Sequence, residues 1–380
     1  MNKKAWLKII FTIPIPLAFF LTNFFVDPSC LYFNRAVTRK IVVGMQKGLK
    51  IENISNLDER FLQKEIINNL SKAPETILIG SSRSMEIDSE NVKSNNFFNN
   101  SLSGLVLEDL LAIIGIYFEK DLVPKNILIE VPPWFFNEFN DQIRWAANFN
   151  YFHKMTHRLN VGIKMTERFN YLKKLNFKNN LVEIFNPGYF QSSLGLIVNS
   201  IINKKNFYRN RLTSAPSKEF TILYPDGHRF FPEVIDSNAE IKRKALHYAL
   251  GNPHYEMKKF TKIDQQYMII FNLLCIFLNR DRKINLTLFL PPYHPVAYKK
   301  MMDSQILRII GQVEYIIKII ASKLRLKVIG SYNPSAIPSL LEDDFRDPSH
   351  LKKSGINKLF KDGSGPRSQD SFSSDLRCDA

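Results

Sequence analysis

Apolar positions fall into three patterns along the chain. The first is one long run without charge, Ile9 to Val26, reading IIFTIPIPLAFFLTNFFV. As a helix with a 1.5 Å rise per residue it reaches about 27 Å, close to the ~30 Å hydrocarbon core of a bilayer. The second is a set of short apolar runs closed by Gly or Pro. These are Glu75–Gly80 (ETILIG), Asn126–Val131 before Pro132-Pro133, Ile284–Leu290 before Pro291-Pro292, and Leu326–Ile329. Short runs of this kind predict buried strands of a parallel sheet. The third pattern is helical spacing, over Leu105–Lys120, Tyr255–Asn279 and Ser304–Leu324. Strands alternating with helices predict an α/β fold, a flavodoxin-like three-layer parallel sheet covered on both faces.

The long run sets the organisation of the rest. Lys3, Lys4 and Lys8 precede it and Asp27-Pro28 closes it. That asymmetry predicts residues 1–8 in the cytoplasm and the remainder outside, at the inner (cytoplasmic) membrane. No A-x-A pattern follows, so an uncleaved transmembrane anchor over 9–26 is expected rather than a signal peptide. Pro14 and Pro16 are better tolerated in a membrane helix than in a short soluble one. Residues 27–73 are mixed and polar apart from a helical patch at Asp58–Leu70, and read as a juxtamembrane connector. The main domain is expected over 74–360. Its aromatic, Asn-rich stretch at about 137–264 reads as a helical insertion, with helices near 159–174 and 236–249. The polar tail, 361–380, is expected to be disordered.

Charge narrows the partners. Of 380 residues, 52 are Lys or Arg and 36 are Asp or Glu, a net +16 that favours an anionic surface. Lipid headgroups and an acidic glycan both fit. The cations occur in short pairs such as Lys173-Lys174 and Lys204-Lys205, which does not make a nucleic-acid arm, and an outward topology excludes nucleic acid. Cys30, Cys275 and Cys378 form neither a disulfide framework nor metal-ligand spacing.

In open parallel sheets, sites lie just beyond the carboxyl ends of the strands. After the first predicted strand stands Gly80-Ser81-Ser82-Arg83-Ser84, and after the third Pro291-Pro292-Tyr293-His294. Asp347-Pro348-Ser349-His350 follows the last. A serine hydroxyl needs a base to become a useful nucleophile, and a carboxylate three residues from a His can orient its imidazole within one loop. Gly-Ser-Ser alone is a common turn, and so is Asp-Pro. Both elements in this order, at strand ends of an alternating chain, are more specific than either alone.

Together with Asn99-Asn100-Ser101-Leu102-Ser103-Gly104, these segments resemble the SGNH (GDSL-like) hydrolase superfamily. Val26-Asp27-Pro28 after an anchor is similar to its membrane-anchored bacterial branch, related to polysaccharide O-acetylation proteins. The resemblance implies Ser82 as nucleophile, His350 as base and Asp347 as its orienter. It implies an oxyanion hole from the Ser82 and Gly104 amides, helped by the Asn99 side chain. The chain departs from the family in carrying Ser81 before the nucleophile, where an Asp is usual, and in lacking a Gly-x-Asn-Asp block. Asn137 is the substitute donor on this reading, and Arg83 and His294 are candidate substrate-binding residues. No metal or other cofactor is implied. The function expected is a membrane-anchored serine esterase or O-acyltransferase acting on cell-envelope polysaccharide or lipid, with a multi-span membrane partner supplying acyl groups. The departures also fit an inactive SGNH-like protein that binds or assembles envelope components.

Overall fold

The structure is a computed structural model. It describes residues 14–26, 35–54, 57–137, 139–140, 142–161, 185, 187–203, 211–232, 237–251, 257, 259–280, 284–301 and 304–361.

In chain order, α1 (Pro14–Val26) and α2 (Arg35–Gln46) precede β1 (Lys50–Glu52), α3 (Glu59–Asn68) and β2 (Thr76–Ile79). After a short turn come α4 (Ser89–Val92), β3 (Phe97–Asn99), α5 (Leu107–Glu119) and β4 (Asn126–Glu130). The insertion supplies α6 (Phe149–Arg158), α7 (Pro187–Asn203), β5 (Arg211–Thr213), β6 (Ile222–Leu223), β7 (Arg229–Phe230) and α8 (Asn238–Leu250). The chain then resumes with α9 (Gln265–Asn279), β8 (Asn285–Leu290), α10 (Pro295–Lys300), α11 (Gln305–Leu324), β9 (Lys327–Gly330) and α12 (Lys353–Lys361).

The main sheet has five parallel strands in the order β3-β2-β4-β8-β9. Numbered within the sheet this is 2-1-3-4-5, the doubly wound order of flavodoxin-like folds. Side chains alternate across it, as the period of two requires. Ile77, Ile79, Ile127, Ile129 and Leu288 enter one apolar cluster with α5, α9 and α11. Leu78, Leu128, Phe289 and Ile329 enter a second with Leu351, Ile356 and Leu359. Helices on both faces of the sheet make the three layers. In α5 every residue from Leu107 to Tyr117 is buried, because α6 covers the side that faces away from the sheet. The two helices meet closely at Gly115, where a Cβ would lie 2.5 Å from the Tyr151 carbonyl oxygen.

Two sequence expectations change. Within the stretch 27–73 expected as a connector, residues 35–54 and 57–70 pack onto the domain. Ile41, Val42, Met45, Ile51, Leu62, Ile66 and Ile67 are buried in the same cluster as the sheet. Arg60 of α3 makes a buried ion pair with Asp109 of α5, Nη2 to Oδ2 at 2.7 Å. The insertion is not purely helical either. Its three short strands join β1 in an antiparallel sheet of order β5-β1-β6-β7. At the N-terminus, α1 has 13 residues, about 20 Å at a helical rise. No helix among the described residues is long and apolar enough to cross a membrane. Residues 9–13 of the expected anchor lie outside the described residues. So do most of the helix expected near 159–174 and residues 362–380 of the tail.

Candidate active site

The order 2-1-3-4-5 leaves a crevice where connections diverge, beyond the carboxyl ends of β2 and β4. The turn after β2 occupies it. Ser81 is extended, with φ −86° and ψ −170°, and its Oγ accepts from the Arg83 amide at 3.2 Å, starting a 3₁₀ turn over Ser82–Ser84. Beneath the turn lies Glu130, the last residue of β4, with no solvent exposure. Its carboxyl accepts from the Ser81 amide (2.7 Å), the Ser81 hydroxyl (2.6 Å) and the Ser84 hydroxyl (2.5 Å). Gly80 lets the turn close this tightly, since a Cβ there would lie 2.7 Å from Ser84 Cβ and 2.8 Å from Glu130 Oε2.

Ser82 is half-buried above this support. Its Oγ lies 2.9 Å from His350 Nε2. His350 Nδ1 lies 2.8 Å from Asp347 Oδ2 and 2.9 Å from Oδ1. With the carboxylate holding a proton on Nδ1, Nε2 is left to accept from the Ser82 hydroxyl. The loop builds itself around Asp347, whose Oδ1 also accepts from the Ser349 and His350 amides, each at 2.9 Å. A bridge between Phe345 and Leu351 closes its base. Burial opposes ionisation of Asp347, but the electrostatic attraction of His350 and these hydrogen bonds hold its carboxyl well below the usual Asp range.

Ser82, Asp347, His350 and Gly104 line one cleft of about 500 Å³. Gly104 sits at φ +57°, a left-handed conformation that favours glycine. The turn around it is fixed from several sides. The Ser103 amide donates to Glu59 Oε2 at 2.7 Å, Gln142 Nε2 to the Gly104 carbonyl at 2.7 Å, and Trp134 Nε1 to the Leu105 carbonyl at 2.8 Å. Among the described residues, neither the Ser82 nor the Gly104 amide donates to a protein group. Both residues line the cleft.

Four residues singled out from the sequence sit elsewhere in the hydrogen-bond network. Asn99 is fully buried, and its amide donates to the Ser84 (2.9 Å) and Ile87 (2.8 Å) carbonyls, tying β3 to the serine turn. Asn137 is buried, and its Oδ1 accepts from the Phe139 amide at 3.1 Å. Arg83 is buried with its guanidinium donating to three carbonyls, Ser349 (3.0 Å), Pro291 (2.6 Å) and Pro292 (2.8 Å), and stacked 4.5 Å from the Tyr293 ring centroid. It clamps the His350 loop to the end of β8. His294 is buried, its amide donates to the Pro348 carbonyl at 2.9 Å, and its Nδ1 accepts from the Val296 amide at 3.2 Å as the N-cap of α10.

Sequence reasoning missed the cleft's other wall. Arg229 of β7 pairs with Glu59 at 2.7 Å. Arg346 pairs with Glu86 at 2.6 Å, and its guanidinium lies 5.0 Å from the Phe231 ring centroid. Burial pushes the Glu86 carboxyl up, against the opposing pull of Arg346, Lys353 and His350. The insertion carries Arg229 and Phe231 to the cleft by docking onto β3. At Gly227, φ +83°, a Cβ would lie 2.2 Å from the Asn99 carbonyl oxygen, and the Arg229 amide donates to the Met85 carbonyl at 2.7 Å. Arg346 stands directly before Asp347, but nothing in its neighbourhood of sequence points to Glu86 or Phe231.

The buried His294 gives a pH signature. Burial lowers its pKa, with Glu342 and Asp347 opposing. The native state therefore holds this imidazole neutral, while the unfolded chain takes up a proton as the pH falls through the ordinary His range near 6.5. Stability from this group is present above that range and lost below it. His294→Asn keeps a capping side chain and removes the titration. Between about pH 7.5 and about pH 5.5, either side of that range, the urea midpoint of wild type is expected to fall more than that of the variant. Equal falls would place the acid sensitivity elsewhere.

No known protein-family model matches the chain, and no curated protein is similar to it in sequence.

Proposed function

We propose that the chain is a serine acyl-transfer enzyme of SGNH type, held at a membrane by the uncharged segment Ile9–Val26. The observation that carries this reading is the relay Ser82–His350–Asp347, at 2.9 and 2.8 Å, in the crevice at the carboxyl ends of parallel strands. Ser82 Oγ attacks an ester carbonyl while His350 Nε2 takes its proton. Charge develops on the carbonyl oxygen, where the Ser82 and Gly104 amides receive it. Collapse breaks the ester bond, and His350 returns the proton to the departing alcohol. The acyl group, now on Ser82, passes to water or to a sugar hydroxyl, with His350 again as base. The Asn99 side chain takes no part, since its amide is committed to two carbonyls. Arg83, Asn137 and His294 act on the position of the loops rather than on substrate.

The strongly basic chain fits an acidic glycan or an anionic headgroup layer as the place of action. The outward topology expected from Lys3, Lys4 and Lys8 puts the domain on the envelope side of the inner membrane. A multi-span membrane protein would then supply acyl groups if transfer, rather than hydrolysis, is the reaction.

The test is covalent labelling. Full-length protein in detergent is treated with a fluorophosphonate and digested, and the modified peptide is located by mass spectrometry. The adduct is expected on Ser82 in wild type and absent from Ser82→Ala. A folded wild type that stays unlabelled would support the inactive, glycan- or partner-binding alternative.

A further inference from the structure

Helices α1 and α7 pack together through an aromatic and a polar contact. Between them, Phe19 and Phe190 stack with centroids 4.0 Å apart. Asn23 and Ser193 are fully buried, with the Ser193 hydroxyl donating to Asn23 Oδ1 at 3.0 Å. Outward they present apolar stripes. On α1 the exposed residues are Leu17, Leu21 and Phe25, the last 65% exposed. On α7 they are Leu194, Val198 and Ile201, the last 70% exposed. Each set follows helical spacing, so each forms one continuous face. In water this arrangement leaves apolar surface unburied while a polar pair takes up part of the helix contact. In lipid the same arrangement is favourable, because apolar side chains face hydrocarbon and small polar ones bond between helices.

Charge says which surface fits. No charged residue occurs from Ile9 to Val26 or from Asn186 to Asn203. Lys3, Lys4 and Lys8 precede the first stretch, and Lys204, Lys205, Arg209 and Arg211 follow the second. Uncharged helices with cationic flanks match a bilayer with anionic headgroups. Helix α7, with 17 residues reaching about 25 Å, is not long and apolar enough to cross a membrane, but it can lie within one leaflet.

We infer that α7 lies beside α1 in lipid, with Leu194, Val198 and Ile201 in the hydrocarbon of an anionic leaflet. The insertion is then a second membrane contact that fixes the orientation of the domain, which a single anchor would leave free to swivel. This rests on the membrane-anchored reading of α1, and the experiment separates the two.

Full-length protein carrying Cys30→Ser and Cys378→Ser, with Cys275 buried in the core, gives a background for single labels. An NBD fluorophore is placed on Leu17→Cys, Val198→Cys, Ile201→Cys or, as a water-exposed control, Arg243→Cys. Each protein is reconstituted into phosphatidylglycerol–phosphatidylethanolamine vesicles with and without doxyl-labelled lipid. Labels at 198 and 201 are expected to be blue-shifted and quenched by the doxyl lipid, as the label at 17 is, with the control unaffected. Quenching at 17 but not at 198 or 201 would overturn the inference and leave the anchor intact. Quenching at none of the three would overturn both. Shielding at 198 and 201 without lipid quenching, together with disulfide cross-linking of Val198→Cys between copies, would assign the face to self-association and also overturn it.

Discussion

Full-length protein carrying His350→Ala is expected to hydrolyse p-nitrophenyl acetate about 10²–10⁴-fold more slowly than wild type, the usual worth of a positioned general base. The reason is local. The Ser82 hydroxyl has the His350 imidazole as its partner at 2.9 Å, and without it the proton has no acceptor as the C–O bond forms. On the proposed mechanism Ser82→Ala removes the acyl-enzyme itself and is expected to cost at least as much. The double variant should be no slower than the worse single one, because nucleophile and base act as a unit. Asp347→Asn tests a different link. Its amide can turn toward Nδ1 and favour the wrong tautomer, a change that costs about 10⁴ in comparably built triads. Since His350 and its hydrogen bonds hold the Asp347 carboxyl well below the usual range, Asp347 adds no limb to the wild-type pH–rate profile above that range. Turnover in all three single variants close to wild type would show that the chemistry lies elsewhere.

The sequence revealed the parts of this site that rest on local pattern. Strands β2, β4, β8 and β9 stand within a residue or two of where apolar runs ending in Gly or Pro placed them. Each is covered on both faces, so each reads as continuous rather than alternating. Strand β3 was missed because Phe97–Asn99 is a three-residue edge strand among Asn and Ser. The second sheet was missed for a related reason. Its strands have two or three residues each, and β1 finds its partners about 160 and about 170 residues away. The helix expected from Tyr255 begins at Gln265 because Asp264 caps it, accepting from the Gln266 and Tyr267 amides.

Among site residues, the serine and the Asp-x-x-His loop were legible because a strand end and a three-residue spacing already fix their placement. Asn99, Asn137, Arg83 and His294 were not assignable in the same way. A polar side chain near a strand end has the same sequence signature whether its donors aim at a ligand or at a carbonyl, and only the surrounding backbone decides. Here Arg83 satisfies carbonyls of two loops at once, a demand set by tertiary packing. Glu130 shows the converse. It looked like the end of a strand, and it is the seat of the serine turn.

That seat gives the second large effect. Glu130→Ala is expected to lower unfolding free energy by about 3 kcal/mol or more, since each buried group left without a partner costs about 1–3 kcal/mol. Three groups are affected, the Ser81 amide and the Ser81 and Ser84 hydroxyls, and none has solvent to turn to. The measurement is a urea transition with its midpoint lowered and its slope unchanged. Activity should fall as well, because Ser82 stands on this turn and a small displacement lengthens its bond to His350. Glu130 itself touches no cleft surface, so its role is positioning. Glu130→Gln separates support of the fold from support of the nucleophile. It preserves volume but brings an NH₂ group against one of three donors, so the turn relaxes without opening a cavity. For that variant, measured well below its unfolding transition, kcat for the small ester is expected to drop while KM holds. The walls of the cleft are unchanged and only the approach of Ser82 differs. Lost stability with wild-type kcat would reduce Glu130 to a purely structural residue. Lost kcat with little change in the urea midpoint would place its effect on the serine turn alone.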